Sequence, residues 1–173
     1  MEHNDNFTKS VKLTLSSVQY SEPEIEFFSD DAFNSDVFKN TKTDAEPLRI
    51  KYSCAATLLK SGDIIKISYG EPSRDDLIGG TVSLIFNEKS PDTVFIERGG
   101  GENVCITLRE NTQGESDYDT PYGSFKMRNY TLKLKNKLFS VGGTLISEYV
   151  SQLAGLEAQR IKMRIEIKTE KLI

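Results

Sequence analysis

The chain has 173 residues, a hydrophobic fraction of 37% and a formal net charge of −4. That length suits one domain with a sizeable core. Acids and bases mix along most of it, so no basic face is offered to phosphates and nucleic acid is excluded as a partner. No run approaches the roughly 20 apolar residues of a membrane helix, and the N-terminus Met1-Glu2-His3-Asn4-Asp5-Asn6 lacks the basic and apolar regions of a signal peptide. A cytoplasmic protein with no membrane contact is therefore expected. Cys54 and Cys105 fit a reducing compartment and are expected as small buried core residues.

Residues 7–20 open with Val11, Leu13 and Leu15 alternating with Lys12, Thr14 and Ser16, the pattern of a strand with one solvent face. Residues 21–46 then carry −6, leaving +2 for the rest, and hold Phe27, Phe28, Phe33 and Phe38. This acidic insertion is expected as a loop whose phenylalanines pack on the domain, or as a lid or partner-binding arm. From residue 48 onward, short alternating runs are separated by turn signals. Ile50, Tyr52, Cys54 and Ala56 share a face, and Ser61-Gly62-Asp63 turns the chain into Ile64–Tyr69. Strands are expected at 81–86, 93–98 and 103–109, with turns at Ser90-Pro91-Asp92 and Gly99-Gly100-Gly101. Residues 110–117 are polar and read as a loop. Further strands are expected at 118–128, 130–138 and 142–152. In the second of these, Tyr130, Leu132 and Leu134 alternate with Thr131, Lys133 and Lys135. The last strand has Ile161, Met163, Ile165 and Ile167 against Lys162, Arg164, Glu166 and Lys168. At most one short helix is expected, within 21–46 or 153–159.

About ten strands with short links form an antiparallel meander, which buries its apolar face and hides its edges by closing into a barrel. The whole chain, residues 1–173, reads as one domain. Five segments occur in order: Ile67-Ser68-Tyr69-Gly70-Glu71-Pro72, Gly79-Gly80-Thr81, Phe95-Ile96-Glu97-Arg98-Gly99-Gly100, Tyr118-Asp119-Thr120-Pro121-Tyr122-Gly123, and Gly142-Gly143-Thr144-Leu145-Ile146-Ser147-Glu148-Tyr149. Together they resemble the YwiB-like family of bacterial proteins, a domain of unknown function called DUF1934. The resemblance implies an all-β, calycin- or lipocalin-like barrel of 8–10 strands and carries no known activity. The acidic insertion between the first two strands departs from the family pattern.

Chemistry is sparse. The single histidine, His3, lies at the terminus, so a histidine-based triad or dyad is not expected, and no catalytic residue, metal site or cofactor is assigned. Cys54 and Cys105 are not spaced as metal ligands. Gly99-Gly100-Gly101 lacks the Lys-Ser/Thr and following helix of a phosphate loop. Asp75-Asp76 reads as a solvated loop. One constellation stands out: Tyr69, Glu71, Arg98, Tyr118 and Tyr122. Arg98 shares the inward parity of Val94 and Ile96, and a buried guanidinium needs a carboxylate, for which Glu71 is the candidate. The pair either closes one barrel end structurally or receives the anionic end of a small, partly apolar ligand. The competing reading is a filled barrel that interacts with other proteins through the acidic insertion. An enzyme is not expected.

Overall fold

The computed structural model describes residues 6–29, 46–71 and 80–169. Ten strands account for most of them. They are β1 (Phe7–Glu22), β2 (Leu48–Ser61), β3 (Ile64–Gly70), β4 (Thr81–Asn87), β5 (Ser90–Gly99), β6 (Val104–Arg109), β7 (Gln113–Thr120), β8 (Gly123–Phe139), β9 (Gly142–Leu153) and β10 (Ala158–Thr169). The described residues contain no helix, and thus none long and apolar enough to cross a membrane.

The strands pair antiparallel in chain order, and β1 also pairs with β10, from Val11 opposite Thr169 to Glu22 opposite Ala158. The meander thus joins its own two ends, and its seam lies mid-chain between β6 and β7. There Asn103 and Asp119 exchange two N–H···O=C bonds of 2.8 Å. The Asn129 side chain adds a bond of 3.0 Å from Nδ2 to the Thr107 carbonyl. The result is a nearly closed barrel.

Period-two alternation sends one face of each strand inward. Leu13, Leu58, Ile67, Phe86, Leu108 and Ile165 are almost wholly buried there. Each such side chain contributes about 1.5–3 kcal/mol of transfer free energy. Cys54 packs partly buried against this core, but Cys105 is exposed, because Val104 and Ile106 on either side take the inward positions.

A second, smaller cluster lies on the outer face of β8, β9 and β10. Ile25 and Phe27 pack there against Tyr130, Val150 and Ala158. Polar clamps hold the segment down. The Phe27 N–H donates to Gln152 Oε1 at 2.7 Å, and Arg128 Nη1 donates to the Phe27 carbonyl at 2.6 Å. The Arg128 guanidinium also stands 4.7 Å from the centre of the Phe28 ring. Beside them Arg160 bridges Glu22 at 2.7 Å and Glu148 at 3.0 Å. The start of the acidic insertion is therefore the end of β1 followed by a docked turn. Phe33, Phe38 and most of the remaining insertion lie outside the described residues, as do His3 and Asp75-Asp76.

Four sequence expectations are corrected. Residues 113–117 belong to strand β7 rather than a loop. They are polar at nearly every position, so an edge strand there leaves no alternation of apolar residues to detect. The following turn is Thr120–Gly123, where the Thr120 hydroxyl accepts from the Tyr122 N–H, so 123–139 is one long strand. The turn before β5 lies at Glu88-Lys89, with Asn87 Oδ1 accepting from the Lys89 N–H, and Ser90–Asp92 is already strand. Residues 154–157 form a turn, which the expectation of at most one short helix allows.

The fourth correction bears on the interior. A bulge between Thr131 and Lys133 breaks the register of β8 with β9. An extra residue flips the parity of everything beyond it. Tyr130 and Leu132 therefore face the outer cluster while Leu134 faces the barrel core. Thr131, expected on the solvent side, is completely buried opposite Tyr149.

Candidate functional site

One end of the barrel, where β3 and β5 finish and β4 and β6 begin, gathers the charged and phenolic groups. Tyr69, Val82, Arg98 and Val104 lie in one row across β3 to β6. Arg98 is the last inward position before Gly99 ends β5, so its guanidinium reaches the rim and not the core. It is 53% exposed, and its Nη2 lies 2.7 Å from Oε1 of Glu71, itself 30% exposed. The expected pairing is present, but the expected burial is not.

Four tyrosines lie within the electrostatic reach of Arg98. Tyr69 is buried, and its hydroxyl is bonded to that of Tyr52, with ring centroids 6.4 Å apart. Burial holds the Tyr69 hydroxyl far above its ordinary range, reinforced by Tyr52 and Glu71 and opposed by Arg98. Tyr52 is raised by burial as well. Tyr149 is buried and raised for the same reason, with the Arg98 charge pulling the other way. The Tyr118 hydroxyl donates to Glu102 Oε2, and burial together with this carboxylate pushes it up to about 12. All four therefore stay protonated near neutral pH, as hydrogen-bonding phenols. Arg98 is a charge felt at every one of them.

Of the five residues singled out in the sequence, the structure brings together Tyr69, Glu71, Arg98 and Tyr118. Tyr122 is 95% exposed in the β7–β8 turn and takes no part, because that turn carries it beyond the last inward position. Tyr52, Glu102 and Tyr149 were not identified from sequence. Tyr52 and Tyr149 did lie at inward positions of alternating runs, so parity alone pointed to them. Glu102 lies in an irregular glycine turn with no such signal. Beside the mouth, an open groove of about 590 Å³ runs outward along the seam, lined by Arg98, Glu97, Asn103, Glu115, Asp117 and Asp119 among others. Among the described residues no group of histidines, cysteines and acids is placed to hold a metal ion.

A family model described as "Domain of unknown function (DUF1934)" matches residues 36–165, nearly all of β2 to β10. This chain belongs to the DUF1934 family. The resemblance seen in the five sequence segments is thereby established. A solved structure, the crystal structure of the ywiB protein from Bacillus subtilis, superposes with a TM-score of 0.69 at 13% identity. The match covers 95% of this chain and 94% of that one. At such identity the likeness shows the fold alone, and it covers more of the chain than the DUF1934 match, which begins after β1. No curated protein matches the sequence.

Proposed function

We propose that this DUF1934 protein is a non-catalytic binding module that takes a small, partly apolar ligand at the tyrosine-lined mouth, with Arg98 receiving its anionic end. The observation that carries this reading is the half-exposed guanidinium whose charge acts on four phenols from β2, β3, β7 and β9. Among the described residues Glu71 is its one ion-pair partner, and it meets a single nitrogen. A guanidinium has five N–H donors, so most of its fork remains for a ligand carboxylate. The phenols offer apolar rings with polar tips, suited to a ligand of mixed character. Their raised affinity for protons suits hydrogen bonding and not nucleophilic or base chemistry.

The surrounding acids narrow the ligand. Glu71 and Glu102 at the mouth, with Glu97, Glu115, Asp117 and Asp119 along the groove, repel multiply charged anions. A monocarboxylate fits better than a polyphosphate. Below the mouth the barrel is filled by side chains such as Ile67, Leu84 and Phe86, so a short ligand is favoured over a long acyl chain. Titration calorimetry with hexanoate, tetradecanoate and inorganic pyrophosphate tests the reading. Binding of hexanoate that is lost in Arg98→Gln supports it. Equal hexanoate binding by wild type and Arg98→Gln, or none by either, overturns it.

A further inference from the structure

The outer face of β8, β9 and β10 carries a charge pattern that the Arg98 mouth does not use. Along β8, Lys133, Lys135, Lys137 and Phe139 follow one another at every second position, and all four are exposed. The register sets exposed bases of β10 in step with them across β9. Glu148 lies between Lys133 and Lys162, Ile146 between Lys135 and Arg164, Thr144 between Lys137 and Glu166, and Gly142 between Phe139 and Lys168. In these four rows six bases stand against two acids. Glu148 is held by Arg160 at 3.0 Å, and Glu166 by Lys168 at 3.3 Å. Charges that mix along the sequence thus sort into a basic patch once the strands are aligned, against the expectation that no such face forms.

One end of this patch is an open groove of about 620 Å³. Its floor is the start of β9, where Gly142 and Gly143 carry no side chain. Lys137 and Phe139 of β8 form one wall, and Lys168 and Thr169 of β10 the other. Two apolar side chains stand out in water beside these lysines, Phe139 at 51% exposure and Val141 in the β8–β9 turn at 72%. The turn is tied down, since Thr169 Oγ1 donates to the Val141 carbonyl at 2.8 Å. β8 starts at the mouth end, where Asp119 bridges Asn103 and the chain turns into Gly123, and it finishes at Phe139. The groove is therefore at the end of the barrel away from Arg98.

We infer that this end of the barrel docks on an anionic lipid bilayer, with a headgroup phosphate between Lys137 and Lys168 and with Phe139 and Val141 dipping toward the acyl chains. A cluster of lysines is drawn to the negative surface of such a membrane. Apolar side chains at its edge add burial that the boundary between headgroups and acyl chains provides. The long lysine stems let the ammonium groups stay among the headgroups while the phenyl ring lies deeper. A nucleic acid would answer the charge alone. It has no use for Val141, and the strand between the two basic rows presents Thr144 and Ile146 where stacked bases would need aromatic rings. Surface docking of this kind needs no spanning helix. It also leaves the mouth, with Arg98 and its acidic neighbours, turned away from the membrane, so it stands whether or not the mouth takes a ligand.

The test is flotation of the full chain with vesicles of phosphatidylcholine alone and of phosphatidylcholine mixed with phosphatidylglycerol. Wild type is compared with two double variants, Lys137→Gln with Lys168→Gln and Phe139→Ser with Val141→Ser. All four positions are exposed, so the thermal transition of each variant should match wild type. Wild type should float with the anionic vesicles and not with the neutral ones, and added salt should weaken the binding by screening. Each lysine near an anionic surface tightens binding about fivefold, so loss of both should weaken it about 25-fold. Loss of the two apolar side chains should weaken it about tenfold. Flotation with neither vesicle, equal flotation with both, or unchanged binding by either double variant overturns the inference. A duplex oligonucleotide that strips wild type from the anionic vesicles, and binds the Phe139→Ser/Val141→Ser variant as well as wild type, would make the patch a nucleic-acid site instead.

Discussion

Replacing Arg98 separates a rim guanidinium from a buried structural charge. The Arg98–Glu71 pair is 2.7 Å long, yet its partners are 53% and 30% exposed. Ion pairs open to water contribute about 0–1 kcal/mol, because both charges are well solvated when separated. Arg98→Leu should thus cost no more than about 1 kcal/mol, since Glu71 keeps much of its hydration when left alone. At this chain length that is a fall in Tm of up to about 4 °C. Arg160 is the internal control. It is 12% exposed and holds Glu22, which is 3% exposed. Removing one partner of a buried pair strands the other, so Arg160→Leu should cost about 3 kcal/mol or more. Urea denaturation of the single variants, Glu71→Leu, and the Arg98→Leu/Glu71→Leu double variant gives the coupling energy directly. The expected coupling is below about 1 kcal/mol. A loss of about 3 kcal/mol in Arg98→Leu that Glu71→Leu restores would make the pair a structural clasp, refuting the reasoning that places Arg98 at a ligand's disposal.

Phe27→Ala should destabilise by about 2–3 kcal/mol, from near-complete burial of a phenyl ring in the outer cluster, and an unchanged urea midpoint would mean that the segment after β1 is not docked. Gly143→Ala should damage folding far more than Gly62→Ala. Both have positive φ, but a Cβ at Gly143 would stand 2.0 Å from the Lys137 carbonyl oxygen, whereas Gly62 faces open space; equal thermal transitions for the two variants would contradict this. Because Tyr118 is held up to about 12 in the folded state against 10.0 unfolded, its contribution to stability is intact below pH 10 and is lost as pH rises toward 12. Chemical denaturation across that window should show a steeper loss in wild type than in Tyr118→Phe, and parallel curves would contradict the assignment.

The barrel was legible because most of its strands carry one buried and one exposed face, as in Val11-Leu13-Leu15 and Ile161-Met163-Ile165. Where that contrast fades, so does the reading. Strand β7 is invisible because Gln113 to Asp117 is polar throughout, and its register comes from β8 and the Asn103–Asp119 bridge. The bulge at Thr131 is invisible for another reason. Tyr130, Leu132 and Leu134 do alternate, but they serve two different apolar clusters on opposite faces. The ion pair of Arg98 and Glu71 followed from parity, whereas its exposure depended on how soon β5 ends. The buried polar residues had no signal, because Asn129, Thr131 and Ser147 look like ordinary solvent-facing residues until the sheet closes around them.

The pairing of β1 with β10 has a consequence for how the protein is made. As the chain leaves the ribosome, β1 emerges first of the ten strands and its partner β10 last. During that interval β2 can cover one edge of β1, while the other stays open, and β9 likewise awaits its neighbour. Open edges are templates for association with other chains, and pairing between such distant segments is slow, on the order of milliseconds to seconds. The nascent protein therefore passes through a long-lived curved sheet with two sticky margins. Holding β1 soluble until Val11 can meet Thr169 falls to chaperones or to polar residues on its outer face such as Lys12 and Thr14.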